Sequence, residues 1–160
     1  MSRCVLALCL ALTVFSALLG CGVSKGIMHR AERVAHVSSG TLSLQIDISP
    51  TANQNSPVAV DVVLIRDKNF LKTVQGMSAN DWFTKKMQLQ RQNPKAIAEV
   101  KSWEWIPDQF IGPINFVVPV DVQAAMMFAN YASGGPHSAP LPTSGKVAIS
   151  LGDEDFTVKQ

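Results

Sequence analysis

The sequence predicts an all-β protein, a β-sandwich of about seven to eight strands with a short helical insertion after the second strand. Three observations carry that prediction. Short apolar runs, several alternating with polar residues at a period of two, recur from residue 42 to the C-terminus between Pro-, Gly- and Asn-bearing connectors. Only one long stretch, following the second run, has the N-cap signature and length of a helix. Beyond residue 21 the chain holds no cysteine, so the domain rests on an apolar core and not on a disulfide framework.

Residues 1–20 open on one positive charge, Arg3, and continue as an apolar run over 5–19 broken only by Thr13 and Ser16. About 15 residues suits a signal h-region and falls short of the ~20 that span a bilayer as a helix. The run ends in Leu18-Leu19-Gly20-Cys21, which resembles the lipobox of bacterial lipoproteins. A small residue before the cysteine admits the signal peptidase, and the Cys21 thiol accepts a diacylglyceryl group. This division makes residues 1–20 a signal peptide, 21–40 a lipidated tether and 41–160 the folded domain. Each buried methylene of an acyl chain contributes ~0.8 kcal/mol, so several chains hold a protein stably on a leaflet. Gly22 stands where an Asp would resemble an inner-membrane retention signal, so the expected address is the periplasmic face of the outer membrane.

Fourteen Lys and Arg against twelve Asp and Glu give a net charge of +2, which points to no nucleic acid and no acidic substrate. Residues 22–40 are polar, with Lys25, Arg30 and Arg33 among small residues. They read as a solvated tether, or as one whose basic side chains lie on anionic headgroups at ~1 kcal/mol each.

The first strand is read at 42–49, where Leu42, Leu44, Ile46 and Ile48 alternate with Ser43, Gln45, Asp47 and Ser49. Residues 50–57 form a polar loop closed by Pro50 and Pro57, too long for a two-residue turn and without an aliphatic side chain to hold it, so it is expected to project. The second strand, 58–65, is apolar apart from Asp61 and is expected to be central and covered on both faces. Phe70, Leu71 and Val74 suggest a helical turn within 67–76. Ser78 and Asp81 form a capping box for a helix of about three turns that Pro94 stops. Further strands are expected at 97–106, 115–118, 122–131, 146–151 and 155–159, with 132–145 a Pro/Gly/Ser-rich loop.

Little in the sequence carries chemistry. The three His are scattered, and no HExxH, GxSxG, phosphate-binding loop or calcium loop is present. No cofactor, metal or catalytic set is expected, and an enzyme is not. Asp153-Glu154-Asp155 reads as a turn between the last two strands and not as a cation site. Trp103 and Trp105 share one face of a strand, either as core or as a stacking platform for a sugar, peptide or peptidoglycan fragment. Met126, Met127 and Phe128 read as core.

Taken together, strand 42–49, the run Ser56-Pro57-Val58-Ala59-Val60-Asp61-Val62-Val63-Leu64-Ile65, the following Asp67-Lys68 and Phe70, and the late Val117-Val118-Pro119 before 122–131 resemble the outer-membrane lipoprotein family of the type VI secretion membrane complex, TssJ (SciN/VasD). The resemblance implies a transthyretin-like sandwich and a scaffolding function. The lipoprotein would tether the periplasmic C-terminal part of a large inner-membrane subunit to the outer membrane, in several copies around a ring-like complex. In that family the loop between the first two strands contributes to the grip. Carried over, the role falls on Thr51, Asn53, Gln54 and Asn55, whose uncharged donors and acceptors suit a polar, partly wet interface; the same residues equally read as an unengaged surface turn. The alternative is a stand-alone lipoprotein that binds a ligand on its tryptophan face.

Overall fold

The computed structural model describes residues 38–160; the signal, Cys21 and the tether up to residue 37 lie outside the described residues. The strands are β1 (Ser38–Ile48), β2 (Val58–Ile65), β3 (Ile97–Trp105), β4 (Ile111–Pro119), β5 (Ala124–Asn130), β6 (Ser138–Leu141), β7 (Gly145–Leu151) and β8 (Phe156–Lys159). Two helices, α1 (Lys68–Gln75) and α2 (Ala79–Gln92), lie between β2 and β3. One sheet runs β4-β1-β7-β8 and the other β3-β2-β5-β6. Within them β1 and β7 pair in parallel, and the remaining pairs are antiparallel. This is the all-β sandwich with a helical insertion after the second strand that the sequence predicts.

Period-two patterning places the core. Val58, Val60, Val62 and Leu64 of β2 turn inward with Leu42, Leu44 and Ile149 from the facing sheet, all 0% exposed. Each such side chain contributes about 1.5–3 kcal/mol on burial. The opposite face of the same sheet is also buried, as the apolar run in β2 predicts. There Val63, Ile65, Met126 and Phe128 pack under Phe70, Val74, Ala79 and Trp82 of the helices, and the Trp82 ring stacks on Phe128 at 5.0 Å and 12°.

Both helices are capped where the sequence asks for it. Asp67 accepts from the backbone N–H groups of Asn69 and Phe70 at 2.9 and 2.7 Å. Ser78 Oγ accepts from Asp81 N–H at 3.1 Å and donates to the Asp81 carboxylate at 2.9 Å. The second helix runs 14 residues to Gln92, a turn longer than expected, and ends before Asn93-Pro94. Asp61, the one charge in β2, is 1% exposed beneath this helix. Its Oδ2 accepts from Trp82 Nε1 at 2.8 Å and from Lys86 Nζ at 2.9 Å.

The largest departures from the sequence reading are two strand starts and one added strand. The strand β1 starts at Ser38, not Leu42, because Ser38 and Gly40 find partners in Pro119 and Val118. The strand β4 starts at Ile111, four residues early, since Ile111 pairs with Ile46. The connector 132–145 contains β6, whose Ser138, Ala139, Pro140 and Leu141 pair with β5. Pro140 is tolerated there because β6 is an edge strand with one side free of ladder bonds.

Candidate functional site: the loop end of the sandwich

Strand directions gather four loops at one end. In the first sheet β1 and β7 finish there while β4 and β8 begin; in the second, β3 and β5 finish while β2 and β6 begin. The loops are residues 49–57, 106–110, 131–137 and 152–155. The chain enters β1 at the opposite end, and the 11 residues of that strand separate the two ends by about 35 Å.

The β1–β2 loop does not simply project, and this corrects the sequence reading. Ala52 is 0% exposed and Asn53 is 5% exposed. Asn53 Oδ1 accepts from Ala132 N–H at 2.7 Å, its Nδ2 donates to the Pro57 carbonyl at 2.8 Å, and its backbone N–H reaches the Gly152 carbonyl at 3.1 Å. Both ends of the amide are therefore used inside the protein, and Asn53 is a staple between three loops. Asn53, Gln54 and Asn55 follow one another at φ 48°, 56° and 61°, a left-handed turn that Asn tolerates better than most residues. This turn exposes Gln54 and Asn55, and Thr51 is exposed beside them. Of the four residues carried over from the resemblance, three are brought to one surface.

The sequence reading passed over the next loop. Ile106 is 53% exposed and Phe110 94% exposed, on a turn held by hydrogen bonds from Ile106 N–H to Gln109 Oε1 (3.1 Å) and from Gln109 N–H to the Ile106 carbonyl (3.2 Å). Asp108 N–H meets the Ser49 carbonyl at 3.4 Å, which sets this turn beside the β1–β2 loop. A preordered turn that presents a phenyl ring to water is a candidate anchor for a partner. The only signal in the sequence was an aromatic residue between two turn-forming segments, Pro107-Asp108 and Gly112-Pro113.

His137 was left unassigned by the sequence. It is 5% exposed at φ 42°, with Nδ1 3.0 Å from Asp155 Oδ1 and Nε2 3.0 Å from the Ser133 carbonyl. Its ring lies 5.0 Å from that of Tyr131. Burial, with the Asp155 carboxylate nearby, pushes the Tyr131 phenol above its usual pKa. Ser133 Oγ donates to the Glu154 carbonyl, so the β5–β6 loop and the β7–β8 turn are fastened twice. Asp153-Glu154-Asp155 makes that turn, as expected. Among the described residues no cluster of three His, Cys, Asp or Glu side chains is placed to hold a metal ion.

The tryptophan pair lies at the C-terminal end of β3, just before the 106–110 loop. Trp103 and Trp105 stack at 5.7 Å, with Trp105 3% exposed in the core and Trp103 half-buried against it. They pack the sandwich and present no open platform, and Met126, Met127 and Phe128 are buried as expected.

No protein-family model matches the sequence, and no curated protein matches it. Solved structures do. Lip of Serratia marcescens, a membrane-bound component of the type VI secretion system, is 16% identical with a TM-score of 0.56, over 75% of this chain and 97% of that one. The type VI lipoprotein TssJ1 of Pseudomonas aeruginosa is 12% identical with a TM-score of 0.59, over 75% and 95%. A structure described as the C-terminal domain (869–1107) of the type VI protein TssM from EAEC is matched at 14% identity and a TM-score of 0.51, over 75% and 98%. The described domain thus has the fold of type VI secretion lipoproteins. It is TssJ-like in architecture.

Proposed function

We propose that this chain is a TssJ-type lipoprotein, held on the periplasmic face of the outer membrane through acylated Cys21. Its loop end grips the periplasmic part of a large inner-membrane subunit of a type VI secretion complex. The observation that carries the proposal is the polarity of the sandwich: the chain from Cys21 enters at one end, and four interlocked loops face away at the other. The exposed Phe110 and Ile106, on the turn that Asp108 ties to the β1–β2 loop, and the exposed Thr51, Gln54 and Asn55 of that loop have the character of an interface, apolar anchors beside polar groups. The TssJ-like fold supports the reading. The likeness to a structure described as the TssM C-terminal domain supports a place in the same membrane complex.

The test is recovery of the acylated protein from solubilised envelope. A large inner-membrane protein is expected to accompany it, and Phe110→Asp or a paired Gln54→Arg and Asn55→Arg change should reduce that recovery at least tenfold while the fold persists. Recovery with no such companion would sink the proposal.

A further inference from the structure

We propose that the outer face of the β4-β1-β7-β8 sheet, in the half nearest the tether, rests on the anionic lipid surface that holds the acyl chains. The inference depends on the lipid anchor read at Cys21 and goes beyond it, since an anchor alone sets no orientation. The 17 residues from Cys21 to Ser38 reach roughly 60 Å when extended, longer than the sandwich itself, so tethering by itself leaves the domain free to present any side.

The surface chemistry breaks that freedom. Both helices lie on the other sheet, and among the described residues none packs over this face. Its outward residues follow from the register. Thr41 stands beside Val117, Ser43 beside Asn115 and Lys146, and Gln45 beside Ala148, which pairs with Lys159. Val120 follows at the β4–β5 turn. Val117 and Val120 are 53% and 59% exposed, and both lysines are exposed. Asp121, beside Val120, is exposed and paired with Arg66; along the strands of this face the first acidic residue is Asp47, opposite Ser150 toward the loop end. The four loops are the reverse: they carry Asp108, Asp153, Glu154 and Asp155 and contain no Lys or Arg. Lys146 and Lys159 stand near mid-strand, level with Ser43 and Gln45, so an anionic headgroup layer attracts the face from its tether end to mid-strand and repels the loop end, while the two valines can enter the interfacial region. The chain from Cys21 joins β1 at this same end, since Ser38 pairs with Pro119, next to Val120, and the tether sequence carries Lys25, Arg30 and Arg33 against Glu32. Docked in this way, the sandwich holds its loops away from the lipid.

The full lipidated chain has no free thiol after signal removal, so Val120→Cys or Phe110→Cys supplies a unique labelling site. With a fluorophore at each in turn, the chain is bound to vesicles of phosphatidylcholine containing phosphatidylglycerol and nitroxide-bearing lipid. Quenching at 120 should exceed that at 110 several-fold. Each lysine shifts the docked ratio by about fivefold at low salt, so Lys146→Glu with Lys159→Glu should abolish the difference. Equal quenching at the two positions overturns the proposal. So does protection of the 120 label from iodide in native envelope without quenching by lipid, which would mean that a protein covers this face. Failure of the chain to stay on vesicles at all would instead overturn the lipid anchor.

Discussion

Asn53→Ala is the perturbation that separates a staple from a grip. The substitution removes the acceptor for Ala132 N–H (2.7 Å) and the donor to the Pro57 carbonyl (2.8 Å) at a residue only 5% exposed. Each lost bond, with its partner left half-buried, costs about 1 kcal/mol. Alanine is also less tolerant than Asn of a φ of 48°, which adds about 1 kcal/mol. The sum is about 3 kcal/mol, or roughly 10 °C in Tm for a domain of this size. Urea unfolding of the mature chain, followed by tryptophan fluorescence, should show the midpoint falling with an unchanged slope. Asn53→Asp keeps the acceptor but turns a buried carboxylate oxygen toward the Pro57 carbonyl, so it should lose at least as much. Gln54→Ala and Asn55→Ala, which remove exposed side chains, should cost less than the Asn53 change while weakening partner recovery. A loss below about 0.5 kcal/mol for Asn53→Ala would refute this account of how the loop end is held together.

Lys86→Met strips the ammonium from the buried Asp61 carboxylate, whose Oδ1 already has no hydrogen-bond partner among the described residues. A loss of about 2–4 kcal/mol is expected, with a smaller loss when Asp61→Asn is added, and a double-mutant cycle in urea reads the difference. Gly135→Ala places a methyl group 2.8 Å from His137 Cε1 at a φ of +157° and should lower Tm measurably; Gly134→Ala meets nothing within 4 Å and should not. The Asp81 carboxylate is held below its ordinary value of 3.8 by hydrogen bonds from Lys85 and Ser78. Because the folded value is the lower one, its stabilising effect is present above pH 3.8 and fades as pH falls through that folded value. The destabilisation caused by Asp81→Asn at neutral pH should therefore disappear in acid melts.

The parts of this protein legible in the sequence are those set by neighbours along the chain. Alternation in 42–49 and the apolar run of 58–65 announced strands because side chains two apart share a face. The capping box at Ser78 and the stop at Pro94 bounded α2 because caps act within three or four residues. What the tertiary structure alone decided lies in polar side chains with distant partners. Asn53 looked like surface until Ala132, 79 positions away, was found on its amide, and His137 looked idle until Asp155 was found on its ring. The edge strand β6 carried no signal of its own, since Ser-Ala-Pro-Leu becomes a strand only beside β5. Exposure of Phe110 was likewise invisible, because an aromatic side chain in sequence reads as core until the surrounding turn proves too short to cover it. Hydrophobic periodicity acts through neighbours and survives in one dimension; hydrogen-bond satisfaction and accessibility depend on which loops the topology brings together.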